Sequence, residues 1–209
     1  PGCDGTGVVS LDVQFLPDVT IPCPDCRGSR YGRAAYDLKL TNKAGQAVSL
    51  PELMDTEKLR SALRTDGTGG FVFVNHYQRR TRLKDVEQAV FEVESRNENG
   101  TCETIRFPAL DICGEVSFFL PYKMDLAGAE LTWATAQPLC REGNTFFFLE
   151  IPGMEPVYCL DGKEFSVKTG REAFRIPEKK ISIVTLNLSD ARFLRRLDGK
   201  LYLGEGCDL

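Results

Sequence analysis

Short apolar runs that recur about every ten to fifteen residues are the feature that most constrains the fold of residues 56–209. Glycine, proline or asparagine stands between the runs, and several of them alternate apolar with polar residues, as strands with one buried face do. The spacing predicts a mainly β fold, a β-sandwich or jelly roll. The clearest predicted hairpin joins Ala89–Glu94 to Thr104–Pro108 through the turn residues Asn97 to Gly100.

The same pattern predicts further strands along the chain and one helix. The helix is expected at Ser189–Leu197, because Ser189 can cap its N-terminus and apolar residues such as Ala191 and Leu194 share one face. Tyr31–Leu40 fits either a short helix or a strand. The other predicted strands are Val8–Leu16, Gly70–Asn75, Glu115–Leu120, Ala129–Ala136, Thr145–Ile151, Val157–Leu160, Phe165–Val167, Lys180–Leu186 and Lys200–Leu203.

Length and charge exclude several classes of protein. A chain of 209 residues that is 42% hydrophobic allows one large domain or two small ones. No run approaches the roughly 18 apolar residues of a membrane span, so no membrane partner is expected. Residues 1–55 carry five basic and seven acidic side chains and the remainder carry 21 and 23, so neither part is basic. A chain devoted to non-specific nucleic-acid binding is therefore not indicated.

One local basic cluster stands out against this mild acidity. Arg79, Arg80, Arg82 and Lys84 lie close together in the sequence. They indicate a solvated turn, with a phosphate-binding patch as the alternative.

Cysteine spacing points to a metal. Cys23 and Cys26 form a C-x-x-C turn that offers two thiolates to one ion, and Cys3 lies twenty residues upstream, also followed by glycines. Zinc needs four ligands, and a fourth Cys three residues before Cys3 would precede Pro1, so we expect a fragment with an incomplete and weak zinc site. The alternatives are a redox pair or free thiols, and His76 is a remote candidate for the missing ligand.

The remaining cysteines are scattered and odd in number. They are expected to be small buried hydrophobes and not a disulfide framework. These residues are Cys102, Cys113, Cys140, Cys159 and Cys207.

Catalytic motifs are missing from the sequence. It contains neither a phosphate-binding G-x-x-x-x-G-K-[ST] loop nor a G-x-S-x-G elbow, and its single histidine leaves little room for a catalytic triad. Carboxylates on predicted strands are expected to face outward. Aromatic residues could form a sugar-stacking platform, although such large side chains more often fill a core; the candidates for carbohydrate contact are Trp133, Tyr77 and Tyr122.

The first 55 residues resemble the UvrA family, the ATPases of the ABC excinuclease that repairs bacterial DNA. The resembling runs are Cys3–Val9, Phe15–Val19, Pro22–Gly28 and Arg30–Arg33. The resemblance implies a zinc module that contributes to binding damaged DNA, with Cys3, Cys23 and Cys26 as ligands. Arg27, Arg30 and Arg33 are then the candidate DNA contacts. Both nucleotide-binding loops and the ABC signature are absent, so no ATP hydrolysis is expected.

From about Thr56 onward the chain resembles a C-terminal β region of a bacterial family 35 glycoside hydrolase, the β-galactosidase class. The resembling runs are Leu63–Gly67, Gly70–Arg79, Phe118–Leu126 and Thr132–Leu139. In that family the catalytic carboxylates lie on a (β/α)₈ barrel, and no such alternating pattern exists here. No catalytic residue is therefore carried over, and the expected partner is carbohydrate or an absent catalytic barrel.

These resemblances divide the chain into a truncated zinc knuckle, residues 1–55, and a β-sandwich, residues 56–209. The abrupt change near Asp55 favours a chimera over a natural rearrangement or a mistaken resemblance. The main hypothesis is a non-catalytic β-sandwich of a β-galactosidase-like hydrolase. The alternatives are a UvrA-type fragment that binds zinc and DNA, and a fragment without activity of its own. The resemblance of residues 1–55 implies the cytoplasm, and that of residues 56–209 implies the periplasm or secretion. The sequence therefore determines neither the compartment nor the oligomeric state.

Overall fold

The structure, a computed structural model, describes Cys3, Thr6, residues 8–11, 19–25, Arg27, 38–41, 58–79, 81–96 and 100–204. Within these residues the chain is mainly β, which confirms the predicted fold class. In chain order the strands are β1 (Val8–Leu11), β2 (Val19–Pro22), β3 (Leu38–Thr41), β4 (Ser61–Thr65), β5 (Gly70–His76), β6 (Val86–Arg96), β7 (Cys102–Arg106), β8 (Leu110–Ile112), β9 (Val116–Asp125), β10 (Glu130–Ala134), β11 (Gln137–Glu142), β12 (Thr145–Leu149), β13 (Val157–Leu160), β14 (Lys163–Ser166), β15 (Phe174–Ile176), β16 (Ile181–Leu186), β17 (Leu194–Leu197) and β18 (Lys200–Leu203).

A six-stranded antiparallel sheet forms the centre of the described structure. Its strand order is β14-β13-β10-β9-β5-β4. Along β5 the exposure alternates, with Val72 and Val74 buried and Phe73 and Asn75 exposed, because successive side chains of a strand point to opposite faces. The two faces of this sheet therefore have different surroundings.

The first core lies between one face of the central sheet and the strands β6, β7 and β8. Strands β7 and β8 both pair with β6, which also pairs with β3. Val72, Leu120 and Tyr122 of the central sheet are fully buried there, together with Phe91 of β6. Burying side chains of this size stabilises the fold by about 1.5–3 kcal/mol each.

The second core lies on the opposite face of the central sheet. On β13, Tyr158 and Leu160 belong to the second core, whereas Cys159 between them belongs to the first. The covering sheet has the order β11-β12-β16-β15, in which β12 and β16 run parallel. Its Phe148 and Ile183 are fully buried against Tyr158 and its neighbours.

The predicted hairpin between Ala89–Glu94 and Thr104–Pro108 is confirmed, since β6 pairs with β7 in antiparallel register. The predicted helix at Ser189–Leu197 is wrong beyond its first turn. The helix α1 spans only Leu188–Ala191, and Asn187, not Ser189, caps it by accepting a hydrogen bond from the Asp190 amide. The following residues form the hairpin β17–β18, because the left-handed turn at Asp198 and Gly199 turns the chain back on itself.

Strand β3 lies before the predicted boundary at residue 55 and pairs with β6 beyond it. The division into residues 1–55 and 56–209 stays a prediction. Among the described residues, none of the helices has the length and apolar character needed to cross a membrane.

Candidate metal and ligand-binding sites

The structure brings Cys3 and Cys23 into one small buried cluster, although twenty residues separate them in the sequence. The side chains are 6% and 1% exposed, and Val9 packs against them. The hairpin β1–β2 is responsible for this proximity: its register pairs Val8 with Pro22, so the segments that precede β1 and follow β2 lie side by side.

Each of these cysteines opens a turn. The Thr6 amide and hydroxyl both donate to the Cys3 carbonyl, at 2.9 and 2.7 Å. The Arg27 amide donates to the Cys23 carbonyl at 2.6 Å, and Arg27 has left-handed backbone with φ 50°. Hydrogen bonds to the carbonyl of the cysteine thus hold the backbone on the C-terminal side of both Cys3 and Cys23.

The predicted ligand set is only partly within the described residues. Cys3 and Cys23 lie together, whereas Cys26 lies outside them, as do the DNA-contact candidates Arg30 and Arg33. Arg27 is exposed. Across the described part of the chain, no group of three or more His, Cys, Asp or Glu residues could hold a metal ion. Two buried thiols in one cluster fit part of a zinc site, and the full ligand set stays a prediction.

His76 has a structural environment away from these cysteines. It is fully buried on β5, and its Nε2 atom lies 2.5 Å from the Lys84 carbonyl oxygen. The contact joins the end of β5 to the segment that leads into β6.

The other described cysteines differ in exposure from the prediction. Cys159 is buried and Cys140 is half-buried, but Cys102 and Cys113 are exposed, so the expectation of burial is wrong for those two. Cys102 is the first residue of β7, and Cys113 lies between β8 and β9. None of these four forms a disulfide. Burial raises the pKa of the Cys140 and Cys159 thiols, which keeps both protonated at neutral pH.

The three candidate sugar-stacking residues lie in different places. Trp133 and Tyr122 are buried in the first core, where their rings fill space between sheets and cannot stack on a sugar in solvent. Tyr77 is 51% exposed just after β5. Carbohydrate contact stays a prediction for Tyr77.

A groove that no sequence motif indicates lies on the outer face of β4, β5 and β9. Phe71, Phe73 and Phe119 form an aromatic cluster there, on the face opposite Val72 and Leu120. The Phe73 and Phe119 rings are 5.3 Å apart with a tilt of 32°, and Phe73 is 37% exposed. The cleft above Phe73 and Phe119 has a volume of about 600 Å³. We refer to this surface, with its bordering residues Arg60, Arg64, Asn75, Ser117 and Gln137, as the aromatic groove.

Polar groups fix the edges of the aromatic groove. The Ser117 hydroxyl donates to Asn75 Oδ1 at 2.8 Å, and Arg60 donates to Gln78 Oε1 at 3.0 Å. The Phe119 amide donates to Gln137 Oε1 at 3.2 Å, which ties the first residue of β11 to the groove. At the other end, a second cleft of about 370 Å³ shares Arg64 and Phe71 with the groove.

The second cleft also contains Asp66, which is engaged in its own turn. Its carboxylate accepts hydrogen bonds from the amides of Gly69 and Thr68. These bonds hold the pKa of Asp66 below its usual range. The carboxylate thus points into the turn between β4 and β5.

Comparison with known proteins gives short matches to UvrABC system protein A. No family model matches the chain. UvrABC system protein A of Clostridium tetani is 30% identical over 92 residues, which are 41% of this chain and 10% of that protein. UvrABC system protein A of Escherichia coli K12 and of Salmonella typhi are each 42% identical over 41 residues, 20% of this chain and 4% of those proteins. The chain thus spans about a tenth or less of the curated relatives it matches.

These matches support the resemblance of the cysteine-bearing segment to the UvrA zinc module. They give no support to the resemblance of residues 56–209 to a glycoside hydrolase. The hypothesis of a UvrA-type fragment is therefore better supported than the main hypothesis of a hydrolase domain.

Proposed function

We propose that this chain is part of a UvrA-type protein and contributes a zinc-stabilised contact to DNA. The observation that carries the proposal is the burial of Cys3 and Cys23 in a single cluster at the base of the hairpin β1–β2. The matches to UvrABC system protein A support the same interpretation.

In this proposal Cys3, Cys23 and Cys26 supply thiolates to one zinc ion. A structural zinc ion holds together segments that are too small to bury a core of their own. Here the two turns at Cys3 and Cys23 are those segments, and fewer than ten residues of β1 and β2 connect them by sheet pairing. In this proposal the role of the cysteines is to hold the segment that contains Arg27, Arg30 and Arg33 near the phosphates of DNA.

Metal binding is tested on the full chain with cobalt as the probe. Thiolate coordination to Co²⁺ gives a characteristic charge-transfer absorbance, and zinc displaces it. We expect the absorbance to be lost in Cys23→Ser and kept in Cys102→Ser, because Cys102 is an exposed cysteine on another sheet. An absorbance that is absent from the unaltered chain, or equal in both variants, would overturn the metal proposal.

DNA binding is tested by fluorescence anisotropy with a labelled duplex in the presence of zinc. Arg27→Gln is the informative variant because this exposed side chain is next to the C-x-x-C turn. We expect weaker binding and a shallower salt dependence, by about 0.9 in the slope of log K against log salt for each lost phosphate contact. Arg175→Gln, an exposed arginine on β15, is the control. An equal affinity for Arg27→Gln and Arg175→Gln would contradict the proposal.

A second candidate function is that of a non-catalytic β domain of a family 35 glycoside hydrolase. One observation favours it: three of the runs that carry that resemblance include the adjoining strands β5, β9 and β10 of the central sheet. Gly70–Arg79 lies on and after β5, Phe118–Leu126 on and after β9, and Thr132–Leu139 on β10 and on β11 of the covering sheet. Such a domain would support a catalytic barrel or contact carbohydrate. Titration calorimetry with a galactose-containing oligosaccharide tests it: the candidate predicts binding that Tyr77→Ala weakens, and an absence of heat for the full chain would count against carbohydrate contact.

A further inference from the structure

We infer that the aromatic groove on β4, β5 and β9 binds single-stranded nucleic acid by stacking bases on Phe73 and Phe119. The inference goes beyond the proposed function, because this surface contains none of the cysteines and lies on a different sheet from β1–β2.

The strand register builds the groove from rows of paired residues. Ala62 pairs with Phe73, which pairs with Phe119, so these three side chains lie in one row on the outer face. The small side chain of Ala62 leaves the Phe73 ring uncovered on that side. The cluster is therefore a platform with open ring surface at its centre.

The neighbouring rows place arginine at both ends of the platform. Arg64 pairs with Phe71 on one side, and the Arg60 carbonyl accepts a hydrogen bond from the Asn75 amide on the other. Arg60, immediately before the edge strand β4, and Arg64 on β4 are thus four residues apart in the sequence, and both line the cleft. Four residues of a strand span about 13 Å, which is two nucleotide steps of an extended single strand.

The charged side chains that line the main cleft of the aromatic groove are positive. Among the described residues that line its main cleft, Arg60 and Arg64 are charged and none is acidic. The bond from Arg60 to Gln78 connects this end to the exposed Arg79 and Arg82 of the basic cluster. A chain with a net charge of −4 therefore has one surface that complements an anionic backbone.

Aromatic rings together with arginine favour single strands over duplexes and neutral sugars. A single strand presents the flat face of each base, which a duplex hides within its own stack. A neutral sugar has no charge to pair with the arginines, and the lining that the structure describes offers no carboxylate to its hydroxyl groups. The combination of stacking surface and cationic edge is typical of single-strand binding sites.

The test measures anisotropy with a labelled oligothymidylate of about 12 nucleotides on the full chain, with and without zinc. Phe73→Leu keeps an apolar side chain of similar volume but removes the ring, so the fold is retained while stacking is lost. We expect a loss of affinity of about fivefold or more, the effect of one stacked base. Arg64→Gln is expected to lower the salt slope by about 0.7. The matched controls on β15 are Phe174→Leu, an exposed ring on another sheet, and Arg175→Gln.

The outcomes separate this inference from the proposed function. If Phe73→Leu loses affinity for the oligonucleotide and Phe174→Leu does not, in zinc-free protein as well, the result supports nucleic-acid binding at the aromatic groove. It does so even where the zinc proposal fails. If DNA binding depends on zinc and Phe73→Leu leaves it unchanged, nucleic-acid binding at the aromatic groove is contradicted and the proposed function is retained. Single-strand binding at the aromatic groove is also contradicted by an equal affinity for the matching duplex. It is contradicted as well if the chain binds a galacto-oligosaccharide through Phe73 but does not bind the oligonucleotide.

Discussion

Tyr158 and Thr185 join the two sheets of the second core through a buried hydrogen bond of 2.7 Å between their hydroxyl oxygens. Tyr158 lies on β13 of the central sheet, and Thr185 lies on β16 of the covering sheet. Burial raises the pKa of the Tyr158 phenol well above its usual value, so the ring remains neutral in the folded protein. The pair links two layers whose other contacts are mostly apolar.

Replacing Tyr158 with phenylalanine tests this link. At neutral pH we expect Tyr158→Phe to lower the free energy of unfolding by about 1 kcal/mol, the typical contribution of one hydrogen bond. Because the pKa of the Tyr158 phenol is raised in the folded state, this phenol ionises first in the unfolded chain as the pH passes about 10. The free energy of unfolding of the unaltered protein therefore falls above this pH. Urea denaturation at pH 7 and above pH 10 should show a smaller decrease in the free energy of unfolding for Tyr158→Phe than for the unaltered protein.

The matched control for this measurement is Tyr202→Phe, because Tyr202 is an exposed tyrosine on β18. We expect it to behave like the unaltered protein at both pH values. An equal alkaline loss of stability in Tyr158→Phe and the unaltered protein would contradict the buried, neutral state of Tyr158.

Gly70 is required by the close approach of β4 and β5. A methyl group on its Cα would lie 2.1 Å from the Arg64 carbonyl oxygen, which belongs to the paired strand and cannot move without breaking the ladder. We expect Gly70→Ala to destabilise the protein by about 2 kcal/mol, as overpacking does. Gly204→Ala is the control, since its methyl group would meet its nearest atom at 3.8 Å. Similar urea midpoints for the two variants would show that the strands separate more easily than the structure indicates.

Asp161 provides a test in acid. Its carboxylate pairs with Lys179 and accepts a hydrogen bond from the Glu130 amide at 3.0 Å. The Lys179 contact, followed by the Glu130 amide, holds the pKa of Asp161 below its usual value. The stabilisation is therefore present at pH values above about 4 and is lost as the pH falls through the folded pKa.

Asparagine at this position keeps the left-handed backbone of Asp161, for which φ is 46°, and removes only the charge. Because the ion pair is exposed, we expect Asp161→Asn to cost about 0.5 kcal/mol at pH 7. The difference should shrink as the pH falls below about 4. Asp198→Asn, also on left-handed backbone in a turn, is the comparison. A cost that persists unchanged at low pH would show that the charge is not its cause.

Turn chemistry explains which strands can be predicted from the sequence. The predicted bounds of Val157–Leu160 and Lys200–Leu203 match the observed ones, and each strand adjoins an Asp-Gly turn that has positive φ at both residues. Strand β4 escapes prediction, because Ser61–Thr65 carries few apolar side chains and forms an edge of the sheet. Its position depends on pairing with β5, which no local pattern encodes.

The aromatic groove escapes prediction for a related reason. The sequence Phe71-Val72-Phe73-Val74 shows that both faces of β5 are apolar, which is a usable signal for a strand buried on both sides. Only the structure shows that the valine face is covered by the first core, whereas on the phenylalanine face Phe73 is exposed and Phe71 is half-buried. The choice between faces depends on where distant strands dock.

Cys3 and Cys23 are the opposite case, because the C-x-x-C turn at Cys23 and the glycines that follow both cysteine elements predict a shared metal site. The structure brings both into one buried cluster, which the predicted zinc site requires of them. Cys26 lies outside the described residues, so the third ligand still depends on the C-x-x-C spacing and on the resemblance.

The zinc dependence of DNA binding is measured by the DNA affinity of the full chain before zinc removal by a chelator, after removal, and after zinc is added back. We expect the affinity to fall when zinc is removed and to return when zinc is added, and we expect Cys23→Ser to show the low affinity throughout. An affinity that stays constant through removal and return of zinc would contradict the proposed zinc-stabilised contact to DNA.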